Sequence, residues 1–118
     1  MILVDTSVWV AHFRRKDSRL VELLDDGNVA CHPFIIGELA CGNLNNRGEI
    51  LYLLQSLPAA VTAEHEEVMQ FVNDNRLMGI GLWYIDMHLL VSALLTQVAI
   101  WTHDKKLHAV SAQYDLSY

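Results

Sequence analysis

A chain of 118 residues, 53% hydrophobic and 19% charged, suits one compact domain over 1–118 and excludes an intrinsically disordered segment. The net charge of −6 argues against a general nucleic-acid binder, which carries a basic footprint. The longest apolar stretch, Leu89 to Trp101, is interrupted by Ser92, Thr96 and Gln97. It falls short of the ~20 apolar residues that a bilayer span requires.

Ile2 to Asp5 (ILVD) is apolar without alternation, the pattern of a strand in a parallel sheet, and it ends on a carboxylate. Asp5 also stands where a secretory signal would need its apolar region, so a soluble, cytoplasmic protein is expected. Ser7 is the predicted N-cap of a helix through Val8, Trp9 and Ala11 to about Arg15. Asp17 or Ser18 caps a second helix carrying Leu20, Leu23 and Leu24, and Gly27 ends it. Asn28 to His32 reads as a second strand. Pro33 then starts a helix that carries Glu38 and stops at Gly42 and Asn43.

The spacing of Ile50, Leu51, Leu53, Leu54 and Leu57 predicts a helix over 48–57, closed by Pro58. Ala59 to Thr62 is a weakly signalled third strand. A helix over 63–78 follows, with three acids in its first turns, where the helix dipole favours them. Gly79 and Gly81 break the chain before a helix from Tyr84 to Thr96 with Asp86 in its first turn. Val98 to Thr102 is another buried strand, ending at His103-Asp104. Lys105 to Gln113 forms the final helix, and Asp115 to Tyr118 offers an edge strand.

Strands alternating with helices imply an α/β layer fold with a mainly parallel sheet. Such sheets bind ligands beyond the carboxyl ends of their strands. Asp5 and Asp104 close strands there. Glu38 and Asp86 lie on helices whose local settings, FIIGEL and WYIDMHLL, are apolar company for an acid. Each acid alone has a plain reading as a cap, a dipole partner or a solvated position. Together they present a charge problem, since carboxylates ~4 Å apart repel by about 4 kcal/mol per pair at an effective dielectric of ~20. A hard divalent cation relieves it, and an all-oxygen set suits Mg²⁺ or Mn²⁺ over zinc. A basic rim or a second metal would then admit a phosphodiester. Arg14 and Arg15, in the run Arg14-Arg15-Lys16-Asp17-Ser18-Arg19, and Lys105-Lys106 are the candidates for that rim.

DTSVW at 5–9, IIGEL around Glu38, GLWYIDMHLL around Asp86 and WTHDKKL at 101–107 resemble the PIN domain, and more narrowly the VapC-type toxins of bacterial toxin–antitoxin pairs. The resemblance covers nearly the whole chain. It implies a three-layer α/β/α sandwich and a Mg²⁺- or Mn²⁺-dependent endoribonuclease leaving a 5′-phosphate and a 3′-hydroxyl. It also implies a homodimer and inhibition by a cognate VapB-type antitoxin. Asp5, Glu38, Asp86 and Asp104 carry over as metal ligands, and Ser7 and Thr102 match the family's hydroxyl positions. Met87 departs from the pattern, standing where a small residue is common.

Other readings have weaker support. A signalling receiver needs paired acids after its first strand and an acceptor aspartate after its third, and neither is present. A non-catalytic RNA-binding domain would leave the four acids dispensable. The six histidines show no zinc-ligand spacing. Cys31 and Cys41 form no C-x-x-C pair and are expected as free thiols. Trp9, Trp83 and Trp101 are expected in the core rather than stacked on RNA bases. Apolar faces near Phe13, Leu20, Leu23 and Leu24 suit either core packing or a partner surface.

Overall fold

The computed structural model describes all 118 residues, Met1–Tyr118. In chain order the elements are β1 (Ile2–Val4), α1 (Thr6–Arg14), α2 (Ser18–Asp25), β2 (Val29–Ala30), α3 (Pro33–Ala40), α4 (Arg47–Ser56), α5 (His65–Asp74), α6 (Tyr84–Thr96), β3 (Ala99–Trp101) and α7 (Lys105–Gln113). The sheet has the order β2-β1-β3, and both pairings are parallel, with Ile2 beside Val29 and Ala99, and Leu3 beside Ala30 and Ile100. Isolated parallel bridges extend it on each side, Cys31 with Ala59 and Ile100 with Ser117.

The central position of β1 explains its unbroken apolar run. Leu3 and Val4 are fully buried because helices cover both faces of a parallel sheet. Helices α3 and α4 pack together, as do α1 and α3, while α5 lies against α6, and α6 and α7 meet β3. The result is a three-layer α/β/α sandwich. Every residue from Met87 to Ala93 on α6 is buried, which marks it as the helix most enclosed by the core. No helix is long and apolar enough to cross a membrane.

Several local expectations need correcting. Helix α1 starts two residues earlier than expected, with Asp5 rather than Ser7 at the N-cap, and the carboxylate makes no capping bond. The segment 59–62 is not a strand beyond its single bridge. The Ala60 N–H bonds Cys31 O at 2.8 Å, but the Val61 and Ala63 N–H groups then turn to the hydroxyls of Thr96 and Ser92 on α6. The tail likewise contributes one bridge, with Ile100 donating to Leu116 O at 2.7 Å and Tyr118 donating back to Ile100 O. Helix α5 is shorter than 63–78. Its start is fixed at Glu64, whose N–H bonds the Glu67 carboxylate at 2.8 Å, and a left-handed Arg76 (φ 53°) follows its end. Cys31 is buried, Cys41 is exposed, and both are free thiols.

Candidate active site

The apolar strand β1 delivers Asp5 to the carboxyl edge of the sheet, where its N–H bonds Trp101 O on β3 at 2.9 Å. Asp5 is only 8% exposed. Its Oδ2 accepts from Ser7 Oγ at 2.9 Å and from Thr102 Oγ1 at 2.7 Å. Each hydroxyl owns one proton and gives it to Asp5, so the 3.4 Å approach of Ser7 Oγ to Thr102 Oγ1 carries no hydrogen bond of its own. The lone pairs left over are used as well. Ser7 Oγ accepts from the His103 N–H and Thr102 Oγ1 from the Asp104 N–H, both at 3.0 Å. Two hydroxyls thus lock the end of β1 to the loop after β3.

Asp104 caps α7, with Oδ1 accepting from the Lys106 and Leu107 N–H groups at 2.8 and 3.1 Å. Asp86, in the first turn of α6, accepts the Trp83 N–H on Oδ2 at 3.0 Å. Glu38 on α3 accepts from Thr6 Oγ1 on Oε1 at 2.8 Å. One rule covers all four acids. One oxygen is held by a hydroxyl or a backbone N–H, and the other (Asp5 Oδ1, Glu38 Oε2, Asp86 Oδ1, Asp104 Oδ2) has no protein hydrogen bond.

The charges of Asp5, Asp86 and Asp104 are near enough to interact. The Asp86 carboxyl is pushed above the usual carboxylate range, first by burial and then by the negative charges of Asp5 and Asp104, against the opposing pull of the Trp83 N–H. No three His, Cys, Asp or Glu side chains stand in the spacing of a finished metal cage. The acids share a rim without closing on one point. The donor set of carboxylates and hydroxyls is all oxygen, which fits a hard divalent cation.

Glu38 also borders a cavity of about 680 Å³ between α1, α3 and the 42–46 loop, lined by Phe13, Arg14, Asn43 and Asn45 among others. Of the four acids only Glu38 lines it, so it flanks the aspartate rim rather than replacing it. Arg14 lies in this cavity wall, whereas Arg15 does not. The chain's one ion pair is Arg19–Glu22, which leaves Arg14, Arg15, Lys105 and Lys106 without carboxylate partners.

Two residues here escape sequence reasoning. Thr6, which anchors Glu38, stands beside Ser7 in the same Asp-Thr-Ser turn, and only the helix register separates their roles. Trp83 was expected in the core but is 79% exposed, whereas Trp9 is 3% exposed. Its place between a glycine break and a helix start was the available signal.

The family model described as the PIN domain matches residues 2–113. Ribonuclease VapC32 of Mycobacterium tuberculosis, in strain CDC 1551 / Oshkosh and in strain ATCC 25618 / H37Rv, is 47% identical to this chain over 114 residues. That alignment covers 96% of this chain and 92% of each relative. The order of the strands, the acids at their carboxyl edge and these matches agree: the chain belongs to the PIN domain family.

Proposed function

We propose that this protein is a metal-dependent endoribonuclease acting as the toxin of a type II toxin–antitoxin pair. The observation that carries the reading is the shared state of Asp5, Glu38, Asp86 and Asp104, each with one oxygen oriented by the protein and one left free. Outer partners that fix a carboxylate are what a metal ligand needs, and such partners tune affinity about 10–100-fold. The similarity to a ribonuclease VapC supports RNA as the substrate.

Asp5, Asp86 and Asp104 would hold Mg²⁺ or Mn²⁺, with Glu38 contributing from α3. A bound cation supplies Lewis acidity and a water of lowered pKa. The chain's own part is positional. Ser7 and Thr102 keep Asp5 aimed by donating both their protons to its Oδ2. A carboxylate of the rim can take the proton from a water attacking phosphorus. Arg14, Arg15, Lys105 and Lys106 are cations free to meet phosphate oxygens, because none is committed to a carboxylate, and Arg14 lines the cavity beside Glu38. Hydrolysis by this route leaves a 5′-phosphate and a 3′-hydroxyl.

A cognate VapB-type antitoxin, a homodimer and a cytoplasmic setting complete the proposal. Leu20 and Leu23 turn out to be core residues. Phe13 and Leu24 instead line an apolar groove of about 390 Å³ with Trp9, Ile50, Leu53 and Leu57, which suits an apolar segment of the antitoxin. The decisive experiment is incubation of total RNA with purified, antitoxin-free protein in Mg²⁺, in Mn²⁺ and in chelator, beside Asp5→Asn. Discrete fragments that require both metal and Asp5 are expected. Fragments that survive chelation, or that Asp5→Asn makes at the wild-type rate, would overturn the reading.

A further inference from the structure

Trp83 is the most exposed large hydrophobic side chain of the protein, at 79%. An indole left in water at that level has no packing role to account for it. Its backbone, in contrast, is tied down, because the Trp83 N–H donates to Asp86 Oδ2 at 3.0 Å. The Trp83 backbone is therefore tied to the acidic rim, three residues from a candidate ligand, with its ring open to solvent.

A second observation comes from the same loop. Gly81 has φ +88°, and a Cβ built there would stand 2.5 Å from Lys106 Nζ and 2.8 Å from its Cδ. The aliphatic stem of Lys106 thus lies across the bare backbone of Gly81, which brings its ammonium to the loop that carries Trp83. Lys106 itself follows Asp104 at the start of α7 and donates its N–H to the Asp104 carboxylate. An unpaired cation and an open aromatic face accordingly flank the aspartates from α7 and from the 79–83 loop.

A strand of RNA crossing the rim needs two things beside the scissile phosphate: a cation for a neighbouring phosphate and a surface for an unstacked base. Sequence-tolerant aromatic stacking contributes ~1–3 kcal/mol per base. We propose that Trp83 is the stacking platform for an unpaired nucleotide next to the cleaved bond, with Lys106 contacting its phosphate. The role rests on the nuclease reading above and adds a substrate requirement to it: the base beside the scissile bond must be free to leave its stack. Paired RNA cannot present it, so single-stranded segments and loops are the preferred substrates.

The test compares the wild-type protein with Trp83→Phe and Trp83→Ala, using initial cleavage rates over a concentration series of total RNA with Mn²⁺. Each variant keeps the backbone N–H that holds Asp86, and the exposed ring can be removed without opening the core. Trp83→Ala is expected to raise KM about tenfold, equivalent to ~1.4 kcal/mol, with kcat little changed. Trp83→Phe should stay within about threefold of wild type, since a smaller π-face still stacks. A KM for Trp83→Ala within about twofold of an active wild type would sink the platform and leave the nuclease standing. So would a changed oligomeric state on size exclusion with an unchanged KM, which would make Trp83 a protein contact. A wild-type protein that cuts no RNA removes the platform together with the nuclease, and the wild-type lane alone identifies that case.

Discussion

Two polar regions of this molecule are built from similar parts and do opposite things. At the carboxyl edge of the sheet, Asp5 sits under the hydroxyls of Ser7 and Thr102. Between α3 and α6, His32 sits against the hydroxyl of Ser92, with Nε2 3.1 Å from Oγ, while its Nδ1 accepts the Phe34 N–H at 3.0 Å. Because Nδ1 accepts, Nε2 must carry the proton, and His32 is a neutral imidazole with both nitrogens used. Burial, and secondarily the charge of His88, lowers its pKa to about 4. His88 is lowered in the same direction, by burial and then by His65, and its Nδ1 has no partner. The histidine layer suppresses charge. The aspartate rim leaves one carboxylate oxygen free at each member. A titratable group becomes a site when it has an unused valence facing outward, and burial beside a hydroxyl does not suffice.

The sharpest way to break this contrast is to exchange charge for shape on each side. Asp5→Asn should fold, keep its two hydroxyl donors on the amide oxygen, and lose cleavage by more than the 10–100-fold typical of an outer partner. It should also melt no lower than wild type without metal, because one of the charges that raises Asp86 is gone. His32→Asn should do the reverse, losing stability while retaining cleavage per folded molecule. Activity assays beside thermal melts of both variants read the difference. Equal activity losses in the two would erase the distinction.

Thr102→Val tests the rim one step further out. It removes one of the two protons given to Asp5 and the acceptor for the Asp104 N–H without changing side-chain shape. A fall of roughly 10–100-fold in activity at limiting metal is expected, recovering as Mn²⁺ is raised. A loss that no metal concentration relieves would mean that Thr102 holds the fold and not the ligand.

How much of this was legible beforehand depends on whether the cause is local. ILVD announces a buried strand ending on an acid because every residue in it obeys one rule, and Asp17 and Asp104 announce themselves as caps by the same local chemistry. The ordered set of four acids was readable for that reason. Asp5 was the deceptive case: it occupies an N-cap position but gives its oxygen to Thr102, 97 residues away. No local rule sees that, nor the bond from Thr6 to Glu38. The segment 59–62 failed as a strand for the same kind of reason, since Thr96 on α6 intercepts the Val61 N–H and Ser92 that of Ala63 just beyond it. Trp83 was misjudged because composition favours burying tryptophan, and only the tertiary placement of the 79–83 loop leaves it in water.

The histidine layer also makes a pH prediction with a definite sign. His32 has a folded pKa of about 4 against an ordinary value of 6.5, so between those limits the unfolded chain binds the extra proton. Its contribution is fully present above pH 6.5 and is lost as pH falls toward 4, amounting to roughly 3 kcal/mol across the window. Denaturant melts at pH 7 and pH 4.5 measure it. The acids of the rim and surface titrate over part of the same range, so the informative quantity is the wild-type change minus that of His32→Asn. Asparagine still accepts the Phe34 N–H as an N-cap but cannot take up a proton. A variant whose stability falls with acid as steeply as the wild type would place the pH response elsewhere.

The smallest effect is expected at the cysteines, and it measures how tightly the layer beneath the sheet is closed. Cys31 adjoins His32, is 2% exposed, and burial pushes its thiol up to about 11. At pH 8 that leaves a thiolate fraction of about 10⁻³ even before access is considered. Cys41 lies exposed at the end of α3. A maleimide should therefore label Cys41 alone in the native protein, reach Cys31 only in denaturant, and leave RNA cleavage unchanged after the first addition. Native labelling of both thiols at similar rates would show that the Cys31–His32 layer opens readily. Its acid sensitivity would then reflect local opening instead of the cost of charging a sealed imidazole.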